Sequence, residues 1–141
     1  MTIIEGVSNS GKSTCLVDII KNKKKSMFFM LDIDEPLINT LKSNDIQYQI
    51  IKNCFLMDIK YRILEKGGLL CNTLDYVVID SLNFISDKKG YTEKIKYLLD
   101  VEKDFKLKII TSINVLNRLD KISHEINNIS DINVIKLKRK Q

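Results

Sequence analysis

The sequence predicts an α/β fold of three layers, in which helices cover both faces of a mostly parallel sheet of about six strands. Strand-like and helix-like stretches alternate along the chain, which favours parallel strands joined by right-handed helical crossovers. Two strand-like stretches, 26–31 and 76–81, are largely apolar, as expected of strands covered on both faces. A chain of 141 residues is long enough for a buried core, and we predict a single domain over residues 1–141.

Six stretches have the length and pattern of strands. Each is rich in apolar and β-branched residues, which either run continuously or alternate with polar ones. The predicted strands are 2–5, 26–31, 46–51, 76–81, 107–113 and 132–138. The third alternates most regularly, which predicts a place nearer the edge of the sheet.

Helical spacing of apolar residues predicts helices between these strands. The first covers 14–22, and the second opens at Pro36, a residue favoured in the first turn of a helix. The third covers 55–66 and the fourth 92–105, with Thr92 as the expected N-cap. The buried face of the third helix is predicted to consist of Phe55, Ile59, Ile63 and Leu64. The stretch 115–129 is predicted as either a short helix or a loop.

The residues from Gly6 to Ser13 match the pattern G-x-x-x-x-G-K-[ST] at every fixed position. They lie between a predicted strand and a predicted helix, which is the context that a phosphate-binding P-loop requires. Glycines let the backbone amides turn toward a phosphate, and the start of the helix adds a positive dipole. Lys12 is expected to reach the β- and γ-phosphates, and the Ser13 hydroxyl to bind Mg²⁺. The residues predicted to hold the nucleotide are Gly6, Val7, Ser8, Asn9, Ser10, Gly11, Lys12, Ser13 and Thr14.

Acids follow two of the predicted strands. Asp80 comes after an apolar strand and is typical of a Walker B carboxylate, which holds Mg²⁺ through water; the alternative is an Asp that caps the next loop. Asp32, Asp34 and Glu35 follow the second strand. One of these carboxylates is expected either to polarise the attacking water or to cap the helix at Pro36.

Two polar residues, Ser112 and Asn114, occur where the fifth strand ends. They are predicted either to sense the γ-phosphate or to make buried hydrogen bonds. Glu5 directly precedes the loop and is expected to point away from the phosphates.

These residues resemble the core of the RecA-type P-loop ATPases, a family that includes recombinases, DnaB-type helicases and KaiC-like proteins. The resemblance covers essentially the whole chain and lies in four stretches, which are 10–14, 31–35, 77–81 and 113–114. It implies a RecA-like sheet, ATP as ligand and Mg²⁺ as cofactor. It also implies catalytic roles for Lys12, Asp80 and Asn114, and for Asp34 or Glu35 as the base.

The resemblance extends to the stretch 129–137, which is similar to the strand before the family's trans-acting basic residues. Lys138, Arg139 and Lys140 are then placed to reach the γ-phosphate of a neighbouring subunit in a ring or filament; the alternative is a solvated terminus. The chain departs from the family where Val115 replaces the usual sensing glutamine and where the DNA-binding loop is short. It also begins its P-loop strand at residue 2, so we expect no preceding segment for subunit attachment.

The net charge of +5 is compatible with nucleic-acid binding, although lysines on solvated helix faces are an equally simple source. The chain lacks Ala and Trp and has only three Arg, a bias typical of an AT-rich genome; with the small size, this resembles a phage or viral protein. No apolar run approaches the ~20 residues of a membrane span. Three widely separated cysteines, Cys15, Cys54 and Cys71, are expected to be reduced thiols in the cytoplasm, or the host cytoplasm if the protein is viral.

Three functions follow as hypotheses. The first is an ATP-binding and ATP-hydrolysing protein that acts in DNA recombination, annealing or replication, with single-stranded DNA as partner and assembly as a homo-oligomer. The second is a non-catalytic nucleotide-binding module of a larger protein assembly. The third is a P-loop small-molecule kinase, which the scarcity of Arg disfavours.

Overall fold

The computed structural model describes residues 1–7, 10–67, 74–115 and 129–137. Six parallel strands form one sheet with the order β3-β2-β4-β5-β1-β6. The strands are β1 Thr2–Gly6, β2 Ser26–Met30, β3 Tyr48–Ile50, β4 Tyr76–Asp80, β5 Lys108–Asn114 and β6 Asn133–Lys136. The predicted α/β fold with a mostly parallel sheet is therefore confirmed, and β3 lies at an edge as its alternation predicted.

Four helices cover the sheet among the described residues. They are α1 Lys12–Ile20, α2 Glu35–Ser43, α3 Leu56–Gly67 and α4 Tyr91–Phe105, and a short 3-10 turn follows β4 at Leu82–Phe84. Buried residues of α1 and α2 pack on one face of the sheet, and those of α3 and α4 pack on the other. The molecule thus has three layers, with an apolar core on each side of the sheet.

Alternation along the strands decides which core each residue joins. In β1, Ile3 belongs to the core under α3 and α4, whereas Ile4 belongs to the core under α1 and α2. In β2, Met27 and Phe29 face the first of these cores and Phe28 faces the second. Because both faces are covered, these strands are apolar throughout, which explains the continuous runs in the sequence.

The predicted buried face of α3 is wrong at two of its four positions. Phe55 and Leu64 are 48% and 45% exposed, while Leu56, Ile59 and Ile63 are buried. The helix begins at Leu56, and residues spaced by three and four positions from it share the inner face. Leu64 follows Ile63 directly and is therefore turned about 100° away from the core.

The predicted N-cap of α4 is also wrong. The helix begins at Tyr91, so Gly90 is the N-cap and Thr92 lies within the first turn. Gly90 has no side chain that could cap this end. Within the described ranges, no helix is long and apolar enough to cross a membrane.

Candidate functional site

The loop between β1 and α1 has a glycine at each end, Gly6 at the close of β1 and Gly11 just before α1. Gly11 has φ 89°, a left-handed conformation that side chains rarely adopt, and α1 begins at the next residue. A Cβ atom at Gly6 would collide with the side chain of Ser10, which is buried. The Ser10 amide donates a hydrogen bond of 3.2 Å to the Val7 carbonyl. Two of the predicted phosphate-binding residues, Ser8 and Asn9, lie outside the described residues.

The Lys12 side chain folds back over this loop. Its ammonium nitrogen Nζ lies 2.7 Å from the Val7 carbonyl oxygen, 3.5 Å from Ser10 Oγ and 3.3 Å from Asn114 Oδ1. Burial lowers the pKa of Lys12, and the negative charge of Asp80 opposes that shift. The structure therefore brings Asn114 next to Lys12, although the two residues are far apart in the sequence. The ammonium group of Lys12 is held among three oxygen atoms.

The Asp80 carboxylate at the end of β4 receives hydrogen bonds from two hydroxyls. Ser13 Oγ donates to one carboxylate oxygen at 3.0 Å, and Ser112 Oγ donates to the other at 2.9 Å. Burial raises the pKa of Asp80; the two hydroxyl hydrogen bonds lower it, Asp34 adds to the rise and Lys12 opposes it. Ser112 thus makes the hydrogen bond in the fold that was predicted as one of its two roles, and its partner is the predicted metal-binding acid.

The donor set around Asp80 suits Mg²⁺. A hydroxyl and a carboxylate are hard oxygen ligands, and Mg²⁺ in phosphate-binding sites takes one or two protein ligands with the remainder from phosphate and water. Among the described residues, no group of three or more His, Cys, Asp or Glu is placed to enclose a metal ion. In the part of the chain that the structure describes, Ser13 and Asp80 have the oxygen atoms and the mutual contact that could hold Mg²⁺ beside a bound phosphate.

The acids that follow β2 have different positions. Asp34 is the N-cap of α2, because its Oδ1 accepts a hydrogen bond of 3.1 Å from the Leu37 amide. Glu35 is the first residue of α2 and is exposed, and Asp32 accepts a hydrogen bond from the Ile33 amide. Asp34 thus makes the capping hydrogen bond that was predicted as one of its two roles. Asp34 is also close enough to Asp80 to raise its pKa, so it borders the site as well.

A groove of about 360 Å³ runs between α1 and α2, and Ser13 is one of the residues that line it. Ser13, Thr14 and Asp34 line its upper part, and Val17, Leu37 and Thr40 line its walls further along the helices. The groove combines apolar and polar lining, as ligand pockets commonly do.

Glu5 lies on the opposite side of the sheet from these groups. Alternation along β1 places it on the face of Ile3, whereas Gly6 and Asn114 pair at the site. Its side chain is buried, and among the described residues its Oε2 has no hydrogen-bond partner. This placement agrees with the expectation that Glu5 points away from the loop.

Sequence reasoning did not identify Asn83, in the 3-10 turn after β4. Its side-chain oxygen accepts a hydrogen bond of 2.7 Å from the Asn114 amide, and its side-chain nitrogen donates to the Asn114 carbonyl at 3.0 Å. The available signal was a polar residue within the apolar stretch Leu82–Ile85, three positions after Asp80. The predicted basic residues Lys138, Arg139 and Lys140, and the stretch 116–128, lie outside the described residues.

No protein family matches the sequence, and no curated protein matches it. A solved structure similar to the chain is the cytoplasmic domain of the type VII secretion ATPase EccC from Thermomonospora curvata, with 16% identity and a TM-score of 0.46. The match covers 80% of this chain and 16% of that one, so this chain spans about a sixth of the protein it matches.

Proposed function

We propose that the chain binds ATP together with Mg²⁺ at the carboxyl edge of its sheet and hydrolyses it. The observation that carries the proposal is the convergence of Lys12, Ser13 and Asp80, since a cation, a hydroxyl and a carboxylate from two separate segments meet beside a glycine-bent loop. These are the groups that a Mg²⁺-bound triphosphate requires. The parallel sheet supports the proposal because ligands of such sheets bind at the carboxyl ends of the strands.

Each residue has a definite task in this proposal. Lys12 exchanges its present oxygen partners for phosphate oxygens and balances their charge. Ser13 and Asp80 hold Mg²⁺, which neutralises the charge of the β- and γ-phosphates when bound. Asn114 lies beside Lys12 and contacts the γ-phosphate. Water then forms the new bond to the γ-phosphorus while the bond to the β–γ bridging oxygen breaks, which releases ADP and phosphate.

The groove between α1 and α2 is the proposed place of the nucleoside. It begins at Ser13 and Thr14, so a phosphate chain on the loop leads directly into it. Val17 and Leu37 offer apolar surface to a base, and Thr40 offers a hydroxyl. Substitution of Thr40 by a bulky Trp should then weaken ATP binding more than binding of inorganic triphosphate.

The cellular role that we propose follows the RecA-type resemblance. ATP turnover would serve DNA recombination, annealing or replication, with single-stranded DNA as the partner and a homo-oligomer as the active form. The net charge of +5 supports an acidic polymer as partner. In such an assembly, Lys138, Arg139 or Lys140 would reach the γ-phosphate of the neighbouring subunit.

A non-catalytic nucleotide-binding module is the second candidate, and one observation favours it. The Asp34 carboxylate is engaged as the cap of α2, and Glu35 is exposed, so neither acid is dedicated to a water molecule. ATP would then act as a ligand that orders the loops around Asp80 and Asn114 within a larger protein assembly.

The deciding experiment measures ATP binding and ATP turnover with and without single-stranded DNA, and the assembly state in the same samples. Lys12→Ala should reduce ATP affinity at least tenfold, because a charged hydrogen bond to phosphate contributes roughly 1.5–3 kcal/mol. Lys96→Ala, at an exposed lysine of α4, is the matched control and should change nothing. Unchanged affinity of Lys12→Ala would contradict ATP binding at this loop, and binding without turnover would favour the module.

A further inference from the structure

The side-chain amide of Asn83 pairs with the backbone of the last residue of β5. Asn83 Oδ1 accepts from the Asn114 amide at 2.7 Å, and Asn83 Nδ2 donates to the Asn114 carbonyl at 3.0 Å. In a strand, the N–H and C=O groups of one residue point to the same side, so a single amide can satisfy both. Asn83 thus makes the two hydrogen bonds that a neighbouring strand would otherwise make.

This pairing occurs where β4 no longer accompanies β5. The register of β4 with β5 ends at Ile79 and Thr111, whereas β5 continues to Asn114. On its other side, Asn114 is still paired in register with Gly6 of β1. Asn83 therefore replaces β4 as the partner of β5 over its last residue.

The orientation of the Asn83 amide is fixed by all of its partners. Nδ2 also donates to the Tyr91 hydroxyl at 2.9 Å, and Oδ1 also accepts from Ser81 Oγ at 3.3 Å. A backbone amide can only donate and a carbonyl can only accept, so a reversed Asn83 amide would lose both bonds to Asn114. The polar capacity of the Asn83 amide is fully used, which rigidifies it.

We propose that Asn83 is a positioning residue of the nucleotide site, which holds the backbone of Asn114 so that the Asn114 side chain meets Lys12 and the γ-phosphate. The inference rests on the proposed function. Its geometric basis is the 3.3 Å contact between Asn114 Oδ1 and Lys12 Nζ, which requires a fixed direction for the Asn114 side chain. The hydrogen-bond partners of Asn83 among the described residues are Ser81, Tyr91 and Asn114, so Asn83 acts through the end of β5.

The consequence is a selective effect on the γ-phosphate. Without the Asn83 amide, the end of β5 loses its hydrogen-bonding partner on one side and Asn114 no longer has a fixed direction. Contacts of Lys12, Ser13 and Asp80 with the other phosphates do not depend on Asn83. Its removal should therefore weaken ATP binding while ADP binding is retained.

The test measures the affinities of ATP and ADP, each with Mg²⁺, by titration calorimetry on the full chain. Asn83→Ala should weaken ATP binding about tenfold and change ADP binding less than about threefold. In a chain that already carries Asn114→Ala, adding Asn83→Ala should weaken ATP binding by less than about a further twofold, because the effects of residues that act through one contact are not additive. Asn39→Ala, at an exposed asparagine of α2, is the matched control and should match the wild type.

Other results would overturn the inference. An equal loss of ATP and ADP binding would mean general damage to the site, and additivity with Asn114→Ala would mean that Asn83 does not act through Asn114. If Asn83→Ala does not fold, Asn83→Asp replaces it, since Asp keeps the acceptor for the Asn114 amide but sets an oxygen against the carbonyl. Failure of both variants to fold would make Asn83 architectural. A wild-type chain that binds neither nucleotide would overturn the proposed function itself, and the inference with it.

Discussion

Ser13 Oγ lies 3.0 Å from Asp80 Oδ2, so the first turn of α1 is joined to the last residue of β4 across 67 positions of sequence. Ser13 lies in the helix that follows β1, and Asp80 ends β4. In the sheet, β5 lies between these two strands. Their contact brings a half-buried carboxylate to the N-terminal turn of the helix.

Asp80→Asn should stabilise the protein in the absence of Mg²⁺ and abolish Mg²⁺-dependent ATP binding. Burial raises the pKa of Asp80 in the folded protein above its ordinary value of 3.8, which applies to the unfolded chain. At a pH between the ordinary pKa and the raised pKa, the folded protein therefore binds more protons than the unfolded chain. The stability contribution of Asp80 therefore falls as the pH rises through that window. Asparagine keeps a polar group for Ser13 and Ser112 and carries no charge to bury.

The measurement is the free energy of unfolding of both proteins by denaturant titration over the acid to neutral range. The free energy of unfolding of Asp80→Asn should exceed that of the wild type by a small amount at a pH near the ordinary carboxyl pKa. This difference should grow as the pH rises, until the pH passes the raised pKa of Asp80. A difference that does not change with pH would contradict a buried charge at this position.

Ser112→Ala should weaken Mg²⁺-dependent ATP binding about tenfold, the effect of one hydrogen bond to a charged group. Ser112 donates to Asp80 at 2.9 Å, and its loss leaves one carboxylate oxygen without that donor. Thr111→Val is the matched control, because Thr111 lies on the other face of β5 and donates to the Ile79 carbonyl. That variant should affect stability and leave Mg²⁺ dependence unchanged; equal Mg²⁺ effects in both would refute the role given to Ser112.

Gly6→Ala should destabilise the fold by about 1–3 kcal/mol, the usual cost of forcing an extra carbon into a packed place. The added Cβ would meet the side chain of Ser10, and Ser10→Gly in the same chain should recover most of the loss. Gly90→Ala is the control because a Cβ there meets nothing within 4 Å. It should cost less than about 1 kcal/mol, the small preference for Gly over Ala at an N-cap. Thermal unfolding of the four proteins compares these values.

Substitutions of Asp34 should separate its structural role from catalysis. Asp34→Ala removes the cap of α2 and should cost about 1 kcal/mol of stability, whereas Asp34→Asn keeps the cap and removes the charge. If Asp34 activates water, Asp34→Asn should retain stability and ATP affinity but lose ATP turnover. Glu35→Gln is the control at the next, exposed position. Normal turnover in Asp34→Asn would exclude Asp34 as the base.

The fold could be predicted because its signals are regular over several residues. Continuous apolar strands such as 26–31 identify a sheet covered on both faces, and the alternation around Gln49 identifies an edge. The predictions of the buried face of α3 and of the N-cap of α4 were wrong, because a shift of one position changes either result. Phe55 and Leu64 are as apolar as their buried neighbours, and only the starting residue of α3 determines that they face outward.

The candidate site was partly predictable because some of its residues belong to patterns within short stretches of sequence. Gly6, Gly11, Lys12 and Ser13 form a local pattern, and Asp80 ends a recognisable strand. Asn83 could not be found in this way, because its partner Asn114 is 31 positions away and meets it only through the order of strands. Asp34 was predicted as a base or a cap, and its capping hydrogen bond to the Leu37 amide could be identified only from the structure.

Strand β5 contacts the carboxylate through Ser112 and the cation through Asn114, two residues apart on one face. Successive positions on one face of a strand are separated by about 7 Å. The side chains that contact the acid and the lysine are therefore held one backbone repeat apart by β5 itself. Substitutions in the loop can change which groups surround Lys12, but the spacing of Ser112 and Asn114 is set by the strand.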